Sequence, residues 1–238
     1  MIMEKVIVVI AAFNEEKNLP GVLEKISPDY AVIVVDDGST DKTALVARNF
    51  GAWVMPIACN IGQGAALVAG FRAALKGDWD VIVEIDGDGQ HDPTEIPLFL
   101  NKFRESNADV VVGSRILGSN YKEAPFLRKT MLPLYTWFIG WISGYRITDA
   151  MCGFRAFRVQ SIRQVDHILL DMIEPQYLAA ELFLRFSSEG LKVLEVPIHL
   201  RERSSGKSYK GLFRYGIGIL IAIFKTILDK RRRKEARR

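Results

Sequence analysis

Hydrophobic positions along the chain fall into two regimes. From Lys5 to Arg115, short continuous apolar runs alternate with longer segments of mixed polarity. Apolar runs of four to eight residues bounded by turn residues read as strands buried on both faces, and the mixed segments between them as helices. The pattern predicts strands over Lys5–Ala12, Ala31–Asp36, Trp53–Ile57, Val81–Ile85 and Val110–Gly113. Helices are expected from Asn14 to before Pro28, and over Lys42–Phe50, Gly64–Leu75 and Pro93–Glu105. Thr40 or Asp41 is placed to cap the second helix, and Asp92 with Pro93 to open the fourth. Alternation of this kind makes an α/β fold, a mostly parallel sheet flanked by helices.

After Arg115 the pattern changes. Gly118–Pro125 reads as a loop, Leu127–Ile142 as a very apolar helix, and Thr148–Gly153 as turns before a strand at Phe154–Arg158. Tyr177–Ser188 has the period of an amphipathic helix, and Lys192–Ile198 reads as a strand. A basic loop, Arg201–Lys210, leads into a second very apolar segment, Leu212–Leu228. Neither apolar segment offers the roughly 20 uninterrupted residues that a spanning helix needs. Pro133 interrupts the first, and Arg214 and Lys225 the second. Each reads either as a core helix or as a helix lying in a membrane interface. The second reading draws on Tyr135, Trp137 and Trp141 with flanking Arg128, Lys129, Arg146 and Lys225, residue types that anchor at lipid headgroups.

Composition adds little to this picture. The 238 residues suffice for one large α/β domain with a substantial core. The net charge of +4 is concentrated in the tail Lys230–Arg238, which suits anionic lipid or nucleic acid, or is a solvated end. Cys59 and Cys152 have neither disulfide-framework nor metal-site spacing. Val6–Ala12 is a strand-length run rather than the apolar core of a signal peptide.

The chemistry gathers where strands end. Parallel strands deliver their C-terminal ends to one edge, where α/β proteins bind ligands. Four polar clusters follow predicted strands: Asn14-Glu15, Asp36-Asp37, Asp86 with Asp88, and Gly113-Ser114-Arg115. Asp86 and Asp88 repel each other and are costly to desolvate. With Gly87 and Gly89 they suit a hard divalent cation whose shell a substrate phosphate completes; the competing reading is a surface turn. Gln90 offers a neutral oxygen ligand. His91 is either a third ligand or a polar residue at a helix start. Asp37 can accept hydrogen bonds from a base or ribose, or belong to a plain turn. Asn60–Ala66 opens a helix with two glycines, which suits backbone approach to an anion, but it lacks the dinucleotide and P-loop glycine spacings. Arg115, Arg128, Lys129, Arg203 and Lys207 are candidate phosphate ligands. Arg115 leads because it follows the strand expected beside Asp86.

These stretches resemble the family 2 glycosyltransferases, and within them the dolichol-phosphate mannose/glucose synthase group. The resemblance is carried by Val9–Leu19, Val34–Asp41, Asn60–Ala66 with Gly70-Phe71, Asp86–Pro93, Gly113–Arg115, Arg128-Lys129 and Thr148–Phe154. It implies a GT-A fold over residues 1–208, with an amphipathic helix and basic tail over 209–238. It implies an inverting transfer from a nucleotide-sugar, GDP-mannose in first place, to a polyprenyl or dolichyl phosphate, with Mg2+ or Mn2+. By the same resemblance Ala11, Phe13, Glu15 and Asp37 line the nucleoside pocket. Asp86, Gly87, Asp88 and Gln90 serve the metal and diphosphate, with Asp86, Asp88 and Gln90 as ligands. Arg115 and Arg128 hold the acceptor phosphate, and Arg203 closes over the donor; Asp88, Arg115 and Arg128 are then the catalytic set. Ala11, Leu132 and Tyr209 depart from the usual proline or threonine, serine and lysine. The expected location is peripheral, on the cytoplasmic face of the cell membrane, with no nucleic-acid partner.

Three alternatives remain at this point. One keeps the family but takes a saccharide or protein acceptor, with Asp149 as base, or a UDP-glucose or UDP-N-acetylglucosamine donor. A sugar-1-phosphate nucleotidyltransferase would need a glycine-rich loop after the first strand, which Ala11-Ala12-Phe13-Asn14-Glu15 lacks. A non-catalytic membrane module leaves Asp86 and Asp88 without a purpose.

Overall fold

A computed structural model describes residues 4–118, 126–164 and 178–201, together with 218, 221, 224 and 225. Seven strands are present among them: β1 Val6–Ala12, β2 Ala31–Asp36, β3 Trp53–Pro56, β4 Val81–Asp86, β5 Val110–Ser114, β6 Arg155–Arg158 and β7 Val193–Pro197. They form one sheet in the order β3-β2-β1-β4-β6-β5-β7. All pairings are parallel except those of β6, which runs against both β4 and β5. The helices are α1 Leu19–Leu23, α2 Thr43–Asn49, α3 Gln63–Ala74, α4 Ile96–Glu105 behind a 3-10 turn at Pro93–Glu95, α5 Phe126–Ser143, α6 Val159–Gln164 and α7 Leu178–Ser188.

The continuous apolar runs become the central strands because both of their faces are covered. Phe157 of β6 meets Phe71 of α3 and Phe186 of α7, with ring centroids 5.3 and 6.2 Å apart. Its neighbours in the pleat point the other way, onto α4. There Phe154 lies 4.4 Å from Phe99, and the Arg158 guanidinium 4.8 Å from the Phe103 ring centre. Gly70 lets α3 settle directly on the sheet: a Cβ at that position would come within 2.5 Å of Val9 Cγ1 and 2.9 Å of Val35 Cγ2. This close seat brings the start of α3 to the ends of β1 and β4.

Two expectations are corrected. The first helix starts at Leu19 rather than Asn14, because Asn14 has a left-handed backbone, φ 55°. The polar groups of Asn14, Glu15 and Glu16 bond instead to Ser39, Thr40, Asp41, Lys42 and Thr43. Second, β5 is not the neighbour of β4; the antiparallel β6 lies between them. The helix expected over Leu127–Ile142 is present as α5, with Pro133 inside it. The expected loop at 119–125, Tyr177, most of Leu212–Leu228 and everything from 202 to 210 fall outside the described residues. No described helix is long and apolar enough to cross a membrane.

Candidate active site at the C-terminal sheet edge

Strand register puts the polar clusters level with one another. Ala11 pairs with Asp86 across β1 and β4, and Ala12 with Asp36 across β1 and β2. Because β6 is antiparallel, it starts at this same edge, with Arg155 between Glu84 and Val112. The approach to β6, Thr148–Phe154, therefore lies between the carboxylates after β4 and the arginine after β5. The reading of Thr148–Gly153 as mere turns missed this, since antiparallel insertion leaves no local pattern.

Asp86 has a neighbour at each oxygen, one of them a hydrogen-bond donor. Gln63 Nε2 at the start of α3 donates to Oδ1 at 2.6 Å, and His91 Nδ1 stands 3.5 Å from Oδ2. Gly153 leaves room for it: a Cβ there would fall 2.8 Å from Asp86 Oδ2. Gly87 passes between Ile10 and Ala12 of β1. Asp88 Oδ1 accepts the Gln90 amide at 3.0 Å, closing the turn whose Gly89 has φ 78°. The loop is clamped by the segment after β7: His91 bridges Leu200, Arg201 N donates to Gln90 O at 2.8 Å, and the Arg201 guanidinium pairs with Asp92.

Among the described residues no three His, Cys, Asp or Glu side chains are grouped to hold a metal. The oxygen donors that this turn carries are the carboxylates of Asp86 and Asp88 and the side-chain carbonyl of Gln90. That donor set, with the cradle that Gly153 leaves open, fits a hard cation that completes its shell with water and substrate phosphate. His91 is buried, and burial lowers its pKa. It is placed behind Asp86 rather than in the crevice.

At the end of β2, Asp37 is 2% exposed. Its two oxygens accept the amides of Ile61 and Gly62, at 2.8 and 2.9 Å. Each oxygen retains a second lone pair. Asp37 thereby ties the Asn60-Ile61-Gly62 turn, with Gly62 at φ 95°, to the end of β2. Glu15 is buried; its amide donates to Thr43 Oγ1 at 2.8 Å, and its Oε2 accepts Asn18 Nδ2 at 2.6 Å. Ala11 and Phe13 are partly exposed at the end of β1.

Arg115, after β5, forms a forked pair with Asp149: Nε to Oδ2 at 2.6 Å and Nη2 to Oδ1 at 2.8 Å. Burial opposes its charge, but the Asp149 hydrogen bonds and charge outweigh that and raise its pKa. Asp149 is fully buried, and Glu195 of β7 anchors its backbone by accepting the amides of Asp149 and Thr148 at 2.9 and 2.8 Å. Arg128 falls in the first turn of α5, its side chain outside the described residues, and Arg203 lies outside them altogether. The structure therefore gathers Ala11, Phe13, Glu15, Asp37, Asp86, Gly87, Asp88, Gln90 and Arg115 along one edge.

Sequence reasoning missed Gln63, Glu195 and the pair Glu84–Arg155. Arg155 Nη1 lies 3.4 Å from Glu84 Oε2, both side chains at or below 5% exposure. Burial pushes the Glu84 carboxyl up to about 7. A lone acid inside an apolar strand was the available signal, since a buried charge demands a partner.

Residues 7–166 match the family described as Glycosyl transferase family 2. The chain is 34% identical to the undecaprenyl-phosphate mannosyltransferase of Micrococcus luteus over 86% of either chain. It is 31% identical to the polyprenol monophosphomannose synthase of Mycolicibacterium smegmatis, over 94% of this chain and 86% of that one. Among solved structures it resembles glucosyl-3-phosphoglycerate synthase from Mycobacterium tuberculosis in complex with Mn2+, uridine-diphosphate and phosphoglyceric acid. The TM-score is 0.65 at 22% identity, covering 95% of this chain and 78% of that one, a likeness of fold. Sheet order, the carboxylate pair after β4 and these matches agree, and the chain belongs to glycosyl transferase family 2.

Proposed function

We propose that this glycosyltransferase is metal-dependent and inverting, and that it moves mannose from GDP-mannose to a polyprenyl phosphate at a membrane surface. The observation that carries the reading is the single sheet edge that holds both the carboxylate turn after β4 and Arg115 after β5, with Asp86 close enough to act on the Arg115 charge. Such an edge brings together two substrates that are both anionic. Two phosphates repel, and the site must offset that repulsion while aligning the reacting atoms.

Asp86, Asp88 and Gln90 would hold Mg2+ or Mn2+, which when bound neutralises charge developing on the departing nucleoside diphosphate. Ala11, Phe13, Glu15 and Asp37 would line the nucleoside pocket, with Gly87 and Arg203 beside the diphosphate. Arg115 and Arg128 would hold the acceptor phosphate. Asp149 keeps the Arg115 fork rigid and leaves its remaining nitrogen for an oxygen ligand. The acceptor phosphate is already a nucleophile, so no general base is required, and in-line attack at the anomeric carbon inverts it. The saccharide-acceptor alternative needs Asp149 as base. That role is disfavoured by a carboxylate that is fully buried with both oxygens on Arg115.

Mannose as the sugar rests on the two relatives named above; a UDP-sugar remains the alternative donor. Membrane contact rests on α5, which exposes Leu134, Trp137 and Trp141 along one face while burying Leu132, Thr136 and Ile139. The two indoles stack 6.4 Å apart.

A thermal-shift panel tests the donor. GDP-mannose with Mn2+ should raise the melting midpoint more than UDP-glucose or UDP-N-acetylglucosamine does, by mass action on the native state. A larger shift with a UDP-sugar would replace the donor. No shift with any nucleotide-sugar would contradict the reading.

A further inference from the structure

Behind the carboxylate pair lie two buried side chains, His91 and Cys152, in line with the half-buried Asp86. Cys152 Sγ is 3.8 Å from His91 Nε2, and His91 Nδ1 is 3.5 Å from Asp86 Oδ2. Cys152 is fully buried and His91 is 4% exposed, its ring against Phe154 with centroids 5.5 Å apart. Among the described residues Nδ1 is buried with no hydrogen-bond partner. A buried N–H without an acceptor is costly, and the carboxylate oxygen beside Nδ1 is Asp86 Oδ2. At 3.5 Å the two are a few tenths of an ångström too far apart for a formed hydrogen bond, and catalytic-site contacts commonly tighten when a site is loaded.

We propose that His91 and Cys152 form a positioning relay that sets the orientation of Asp86 as a metal ligand. The carboxylate oxygen beside Nδ1 can only accept, which places the imidazole proton on Nδ1 and leaves Nε2 to accept from the Cys152 thiol, whose other acceptor is Phe154 O at 3.9 Å. Nδ1–H then fixes one oxygen of Asp86 while Gln63 fixes the other, so the carboxylate presents its remaining lone pairs in one geometry. Outer partners of this kind typically change metal affinity 10- to 100-fold. His91 and Cys152 touch neither substrate nor the reacting atoms. The inference rests on Asp86 being a metal ligand, as proposed above.

The test is Mn2+ binding by electron paramagnetic resonance titration, in the presence of GDP and, separately, UDP, with melting midpoints measured in parallel without metal. His91→Asn keeps an N–H donor near the Nδ1 position, whereas His91→Gln moves it to the Nε2 position. His91→Asn should bind Mn2+ within about threefold of the parent, and His91→Gln and His91→Phe roughly 10- to 100-fold more weakly. Cys152→Ser should resemble the parent, and Cys152→Ala should weaken binding. Side chains that merely fill space would favour the larger Gln over Asn, or treat them alike, and either result overturns the relay. Asp86→Asn separates the two claims. If it binds Mn2+ like the parent, the metal reading fails and the relay fails with it. If it loses Mn2+ while all His91 variants keep it, only the relay fails.

Discussion

Asp88 and Glu84 lie four residues apart and answer to different physics. Asp88 sits in the half-buried turn after β4, where its Oδ1 takes the Gln90 amide. Asp88→Ala should abolish transfer while the melting midpoint moves little, since a loop side chain outside the core typically costs within about 0.5 kcal/mol. Turnover retained with added Mn2+ would contradict its role. Glu84 lies in the core beside Arg155, and burial raises its carboxyl from 4.5 to about 7. The folded state therefore keeps the proton over a range in which the unfolded chain has lost it. Its contribution to stability is full below pH 4.5, declines between pH 4.5 and 7, and is constant above. Measured as the parent's stability minus that of Glu84→Gln, the difference should fall by about 3 kcal/mol across that window; a flat difference would contradict it. The Asp86–Asp88 pair was legible in the sequence because charge abruptly ends an apolar run. The roles of Gln63, His91 and Glu195 were not, since each depends on an approach between distant segments that no local spacing encodes.

The elements were legible to the extent that both of their faces are buried. β1, β2, β4 and β5 are continuous apolar runs, and each stands within a residue or two of its expected bounds. The place of β6 was not legible: Arg155-Ala156-Phe157-Arg158 carries two arginines and no signal of direction, and only its partners on both sides make it antiparallel. That inserted strand separates Arg115 from Asp86 by one more sheet position than expected and fills the gap with Asp149, Cys152 and Gly153. Packing of α3 sets the other wall. Gly70→Val would force a side chain into Val9 and Val35 of the sheet. It should destabilise the fold by about 1–3 kcal/mol, read from the denaturant midpoint, and it should weaken donor binding by lifting the start of α3. An unchanged midpoint would show that the helix can move away at no cost.

At the scale of the whole molecule, the proposed lipid-phosphate acceptor implies that the crevice meets a membrane surface. On that proposal the exposed face of α5 and the basic sequence Lys230–Arg238 would supply apolar and electrostatic attachment respectively. Vesicles containing anionic lipid should pellet the protein. Pelleting should weaken in high salt, on deleting the tail, and in the double variant Trp137→Ala, Trp141→Ala. Absence of pelleting at any salt would contradict surface attachment. The central claim, transfer to a lipid phosphate, is tested most directly by the product itself. Purified protein with Mn2+ and GDP-mannose labelled in the sugar would be offered detergent-dispersed polyprenyl phosphate, free mannose and a short mannose oligosaccharide in one vessel. The account predicts that label enters only the organic phase as a polyprenyl phosphosugar of inverted anomeric configuration, and that EDTA abolishes the transfer. Label appearing in a water-soluble saccharide, or a lipid product that retains the donor's configuration, would contradict it.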